Sequence, residues 1–194
     1  NGAFDPDIKR CVPDIFDKLA IVTSAEGAAL QDILQILREH KASMEVRVYP
    51  CTVQGRDCAR TICAQLDAIA RLPPRHRPDA VLVTRGGGSR EDLFEFNNPL
   101  ICKALRRLSA GHDKETGSNQ SSSRNAKEEA GGTAPVITAL GHQVDTHLGD
   151  MVADKMFITP SAAAQHFGSA HCRLREALEV CTRGVHTMMH QAVS

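Results

Sequence analysis

No stretch of this chain stays apolar for the ~20 residues that a membrane-spanning helix needs, so no membrane partner is expected. Charge of one sign is not in excess either, since 23 Lys and Arg stand against 23 Asp and Glu. Strong autonomous binding to DNA usually shows as a basic excess or a basic face, and the balance here argues against it. The seven cysteines are odd in number and form no C-x-x-C pair. Cys63 and Cys181 fall on apolar helix faces. The set reads as reduced, small hydrophobes of an intracellular protein, and excludes a disulfide frame or a zinc site. The nine histidines include no H-E-x-x-H array. The amino terminus lacks the basic-then-apolar order of a signal peptide. It also lacks an initiator methionine, so the chain is expected to begin inside a longer protein.

What remains is enough, at 194 residues, for one domain with a full core and a helical appendage. Residues 1–17 carry Pro6 and Pro13 with little periodicity and read as a linker. Lys18–Ser24 is a strand. Glu26–His40 is a helix, with Leu30, Ile33, Leu34 and Leu37 on one stripe. Met44–Cys51 alternates as a second strand, and Gly55–Arg71 follows as a helix with Ala59, Ile62, Leu66 and Ile69 inward. Ala80–Thr84 is a third strand. Leu93–Leu108 is helical with a break at Asn97-Asn98-Pro99, and Val136–Leu140 is a fourth strand. Strand and helix alternate throughout, which predicts an α/β fold: an open, mainly parallel sheet of about four strands with helices on both faces. Residues 111–132, rich in Ser, Gly, Asn and charge, should form a disordered insertion. Thr159 is a plausible N-cap with Pro160 at the first helical position. From there a long helix carries Phe167, Ala170, Leu174, Ala177, Cys181, Val185 and Met188 at spacings of three and four, the seam of a coiled coil or helical hairpin.

Parallel strands joined by right-handed crossovers place their carboxyl ends on one rim. That rim gathers Thr23, Ser24, Arg85, the glycines after it, His142 and Asp145. In Arg85–Ser89 (RGGGS), the three glycines allow close approach of backbone to a ligand. Ser89 and Asp92 fit a capping box that opens a helix. A glycine loop with a helix N-terminus attracts anions, and arginine presents a forked cation to phosphate oxygens. The pattern is neither Walker A nor G-x-G-x-x-G. With His142 and Asp145 beside it, the rim holds an anion cradle, an imidazole and a carboxylate, the equipment for phosphodiester hydrolysis without a metal. No two-metal carboxylate cluster is evident, although Asp145, Asp150 and Asp154 come nearest to one.

The segments RGGGSREDLFEFN and PVITALGHQVDTHLGDMVADKMFITPSAAA, with IVTSAEGAALQDIL and VRVYPCTVQG before them, resemble the large subunit of exodeoxyribonuclease VII. The resemblance spans nearly the whole chain apart from the 111–132 insertion and the last ~20 residues. It implies a nuclease that degrades single-stranded DNA from either end to oligonucleotides, with no divalent metal and no other cofactor. It implies an OB-fold that grips single strands and is missing from this sequence, with 1–17 the linker from it, a catalytic domain over 18–158, and at 159–194 the start of extended helices that carry the small subunit further on. The even charge and scarce aromatics fit a fragment whose DNA grip lies largely elsewhere. Carried over position by position, the catalytic candidates are Asp32, Arg85, His142 and Asp145. Arg85 would meet the scissile phosphate, His142 move the proton, and Asp145 orient the imidazole. Ser24, Gly86, Gly87, Gly88, Ser89, Asn97, Gln143 and Asp150 would contact phosphate or DNA, Asn97 and Asp150 being also readable as caps. The implied location is the cytoplasm for a bacterial source, with an organelle such as the mitochondrion left open for a eukaryotic one.

One departure stands out. The family reads glycine–histidine–glutamate where this chain has Gln143, which keeps size and hydrogen bonding but loses charge and basicity. A catalytically weakened DNA-binding or scaffolding subunit is therefore a second expectation. An unrelated α/β module for a phosphorylated ligand is the third, since the glycine loop alone allows it.

Overall fold

The computed structural model describes residues 4–86, 94–110, 133–141 and 147–193, with side chains to residue 189. Within these, β1 (Lys18–Thr23), β2 (Glu45–Pro50), β3 (Ala80–Thr84), β4 (Val136–Ala139) and β5 (Lys155–Met156) form a single sheet in the order β2-β1-β3-β4-β5. Every pairing is parallel, with Ile21 opposite both Val48 and Leu82, and Thr84 opposite Ala139. Strands β1, β3 and β4 are buried along almost their whole length. That is the signature of a parallel sheet covered on both faces, and it explains their unbroken apolar runs. Strand β2 lies at an edge, so its burial drops and its residues alternate.

Among the described residues, five α-helices accompany the sheet: α1 (Ala28–Glu39), α2 (Cys58–Ala70), α3 (Pro99–Ala110), α4 (Leu148–Val152) and α5 (Pro160–Val193). The alternation of strand side chains divides the core in two. Leu19, Ile21, Ala80, Leu82 and Ile137 meet Leu30, Ile33 and Leu37 of α1 and Ala163, Ala164 and Phe167 of α5. Ala20, Val22, Val81, Val83 and Val136 meet Ile62, Leu66 and Ile69 of α2 and Ile101, Leu105 and Leu108 of α3. Each large side chain so buried contributes about 1.5–3 kcal/mol. The expected fold class is what forms: an open parallel sheet, helices on both faces, and a long helix after it.

Two features go beyond the sequence reading. The sheet has five strands, because the two residues of β5 pair with Ile137 and Thr138, held by Asp154 N–H to Val136 O at 2.9 Å and Phe157 N–H to Thr138 O at 2.8 Å. Two residues are too few to show a period. The stretch before β1, read as a linker, contributes Val12 and Phe16 to the core, the Phe16 ring lying 4.8 Å from that of Phe167. The break at Asn97-Asn98-Pro99 is real: a 3-10 helix, Phe94–Asn97, precedes α3, and the Asn98 side chain accepts the Leu100 N–H at 2.9 Å. At the start of α5 the Thr159 hydroxyl accepts the Ala162 N–H at 3.1 Å, as its N-cap position requires. Further along α5, Phe167 and Ala170 are buried, whereas Leu178, Val185 and Met188 stand in the open. The expected insertion at 111–132 lies outside the described residues.

Candidate active site

The chain runs from β1 out to β2, then crosses back past β1 to β3 and onward to β4. The direction of winding therefore reverses between β1 and β3, and the crevice beyond the carboxyl ends of these two strands is where open α/β sheets bind ligands. On the β1 side the chain passes Ser24 into α1, whose N-cap is Gly27 with no side chain closing it. On the β3 side it passes Arg85 to Gly86. A Cβ on Gly86 would lie 3.7 Å from both the Cβ and the backbone nitrogen of Ala29. The β3 loop thus rests on the first turn of α1, the positive end of that helix dipole.

Arg85 is 2 % exposed. It is not an exposed arginine on a loose turn, and a guanidinium is rarely buried without polar partners. Beside it the Thr84 hydroxyl donates to Ala139 O at 2.8 Å, tying β3 to β4 at their ends. The Thr23 hydroxyl, also fully buried, has no hydrogen-bond partner among the described residues. Asp32 is exposed on α1, three residues beyond Ala29 and so one turn further along the same side of the helix. Ser24 borders a cleft of about 390 Å³ shared with Cys51, Thr52, Arg60, Thr61 and Gln65. The Cys51 thiol in its wall is pushed up to about 12 by burial, with Cys58 adding to the effect. It is no nucleophile, in line with its reading as a small hydrophobe.

Six expected residues, Gly87, Gly88, Ser89, His142, Gln143 and Asp145, lie outside the described set, as does the proposed Ser89–Asp92 capping box. The strand that delivers the second group is described. Thr84 pairs with Ala139, so the chains leading to Arg85 and to His142 leave the sheet side by side, about 4.8 Å apart. Gly141 then turns the β4 chain with φ of +82°, a conformation that glycine adopts without strain.

Asn97 and Asp150 have a definite task in the fold. The Asn97 side chain accepts the Leu148 N–H at 2.8 Å. The Asp150 carboxylate accepts the His147 N–H at 3.3 Å, while the His147 ring accepts from the backbone of Asp150. Together they fasten the first turn of α4, immediately after His142–Thr146. His147 was not singled out in the sequence; its spacing of three to Asp150, a capping box in form, is the signal that marks it. His147 Nε2 and Asp150 Oδ1 are buried with no hydrogen-bond partner among the described residues. Asp154 is fully committed, accepting from Arg10 N, Ser109 Oγ and Val136 N. The Asp145, Asp150, Asp154 series therefore supplies two structural carboxylates. Among the described residues no group of three or more His, Cys, Asp or Glu is placed to hold a metal ion.

Known proteins resemble this chain along most of its length. The family model described as "Exonuclease VII, large subunit" matches residues 3–110 and 126–194. The internal gap in that match, residues 111–125, falls within the stretch expected to be an insertion. Proteins named exodeoxyribonuclease 7 large subunit from Shewanella halifaxensis and Pasteurella multocida are 40 % and 37 % identical over 164 residues. That from Rhodopirellula baltica is 34 % identical over 163. Each alignment takes in 84 % of this chain and 31 % of the relative, so the chain spans about a third of the length of these proteins. A sheet whose switch point carries a buried arginine, and a match running across all its strands, lead to one conclusion: the chain belongs to the exonuclease VII large-subunit family.

Proposed function

We propose that this chain is the catalytic part of an exonuclease VII large subunit, hydrolysing phosphodiester bonds of single-stranded DNA from either end to oligonucleotides, with no divalent metal and no other cofactor. The observation that carries the reading is the buried Arg85 at the β1–β3 switch point, backed by the first turn of α1 and flanked by the strand that leads to His142. In-line attack of water on phosphorus forms one P–O bond and breaks another. Negative charge rises on the oxygens between them. Arg85, with the N–H groups of Gly86–Ser89 and of α1, meets that charge where a metal would otherwise do so. His142 takes the proton of the attacking water, or returns one to the leaving oxygen, and Asp145 orients its ring. Asp32 and Ser24 flank the incoming strand, and Gln143 hydrogen-bonds near the imidazole.

Residues 18–158 form the catalytic domain in this reading, the segment before it leads from an OB-fold, and 159–194 begins the helices on which the small subunit sits. The partners are single-stranded DNA and that small subunit. The location is cytoplasmic in a bacterial source or organellar in a eukaryotic one.

The experiment uses the full-length protein with single-stranded DNA in excess chelator. Release of short oligonucleotides is expected, reduced about 100-fold or more in Arg85→Ala and His142→Ala. Cleavage that appears only on adding a divalent metal would refute the metal-free step. Gln143 supports one other reading, a large subunit that binds DNA but cuts weakly. Binding without cleavage, reversed by Gln143→Glu, would establish it. Membership of the family removes the third expectation, an unrelated module for a phosphorylated ligand.

A further inference from the structure

Phe94 opens the 3-10 helix Phe94–Asn97 with its side chain 74 % exposed, whereas Phe96, two residues on, is fully buried. The exposure is built in. Phe96 is clustered with Ile101, Leu105 and Val152, and its carbonyl oxygen lies 3.1 Å from where a Cβ of Gly149 would stand. Asn98 N–H bonds to Glu95 O at 3.0 Å, and Asn97 holds the start of α4. Anchored so, the turn leaves the Phe94 ring in solvent on the connection between β3, which ends at Thr84 beside Arg85, and α3.

The chain has six phenylalanines, one tyrosine and no tryptophan. Phe16, Phe96 and Phe167 are core, and Phe157 and Tyr49 pack against it. Phe4, in the segment before β1, is 47 % exposed, and Phe94 at 74 % is the most exposed ring among the described phenylalanines. Leu100 at the start of α3 is 62 % exposed, and Leu148 and Met151 are exposed on α4, the helix whose first turn Asn97 holds. Lys103, one turn along α3 from Leu100, is exposed and makes no hydrogen bond or ion pair among the described residues.

We infer that Phe94 is a stacking platform for a base of the single-stranded DNA whose phosphate the Arg85 rim receives, with Leu100 widening the platform and Lys103 facing the backbone. This deepens the nuclease reading and rests on it. An aromatic face beside a cation is how proteins hold single strands without choosing a sequence, because every base offers a π-face. Four partly exposed side chains are too few for a protein partner, which needs about 800 Å² per side, while one aromatic side chain offers 150–250 Å² at most, about the scale of one or two stacked bases.

The test measures Phe94→Ala, Phe94→Leu and Phe94→Trp in the full-length protein on oligothymidylate, with and without a run of abasic sites. Ala and Leu should raise Kd and KM on the intact strand roughly 5- to 150-fold, leave kcat near native, and leave abasic binding unchanged. Trp should restore the native values. Circular dichroism should be native throughout, since the ring is exposed. Native binding of both strands by the Ala and Leu variants would overturn the inference and leave the nuclease reading standing. So would an altered oligomeric state with unchanged KM. A native protein that neither binds nor cuts single-stranded DNA would overturn both.

Discussion

Arg85 is a charge that the fold buries. Its guanidinium combines a permanent charge with a planar fork of donors, and lysine keeps only the charge. Arg85→Lys should therefore lose about 100-fold or more in single-strand cleavage, with kcat carrying the loss. Near-native activity would mean that charge alone suffices. A second buried group sets a pH limit. His171, on α5, lies beneath Phe16, where burial holds its imidazole below the ordinary value of 6.5; a hydrogen bond to the Phe16 backbone and the nearby Asp17 work the other way. The unfolded chain then binds more protons than the folded one as pH drops below about 6.5. The stabilisation that His171 contributes is complete above that value and is lost as pH falls through the folded one. Melting temperatures taken from pH 7.5 to 5 should decline, and His171→Gln, which cannot titrate, should flatten the decline.

Among the elements, α5 behaves as two helices in series. Its first half is docked on α1, where Arg175 donates to the carbonyls of His40 and Lys41, both at 3.1 Å. Gly168 makes the close crossing there: an added Cβ would stand 2.8 Å from His40 Cδ2 and 3.0 Å from Cγ. Gly168→Ala gains up to about 1 kcal/mol of helix propensity but must displace the ring, at a typical cost of about 1–3 kcal/mol. A net loss of stability in urea unfolding is expected. Gly184 sits in the outer half with nothing within 4 Å of an added Cβ. Gly184→Ala should stabilise by up to about 1 kcal/mol. The same substitution in one helix thus takes opposite signs, and equal signs would show that the two halves are not so divided.

For the molecule as a whole, the family match passes over residues 111–125, and the fold closes around the gap. Thr133 N–H bonds to Leu108 O at 2.8 Å, so the end of α3 and the approach to β4 are already adjacent. Replacing residues 112–131 by about six glycine and serine residues should preserve folding and single-strand cleavage. It should also raise stability by about 1 kcal/mol, since each doubling of loop length costs about 0.6 kcal/mol in closure entropy. A lower melting temperature or lost cleavage would show that the segment does more than connect.

The order of strands and helices, the stripe of α1, the N-cap at Thr159 and the shared rim were legible in the sequence, because each follows from a local period or cap that neighbouring residues set between themselves. The glycine loop and the histidine turn were legible as motifs for the same reason. Tertiary structure alone decided the rest. It closed β5 with two residues, drew Val12 and Phe16 into the core, gave Asn97 and Asp150 the work of capping α4, buried Arg85 and left Phe94 in water. Burial is decided by which distant segments meet, and a side chain's own neighbours in sequence carry no record of that. Phe94 and Phe96 make the point within one turn: the same residue type, two positions apart, with one facing α3 and the other facing solvent.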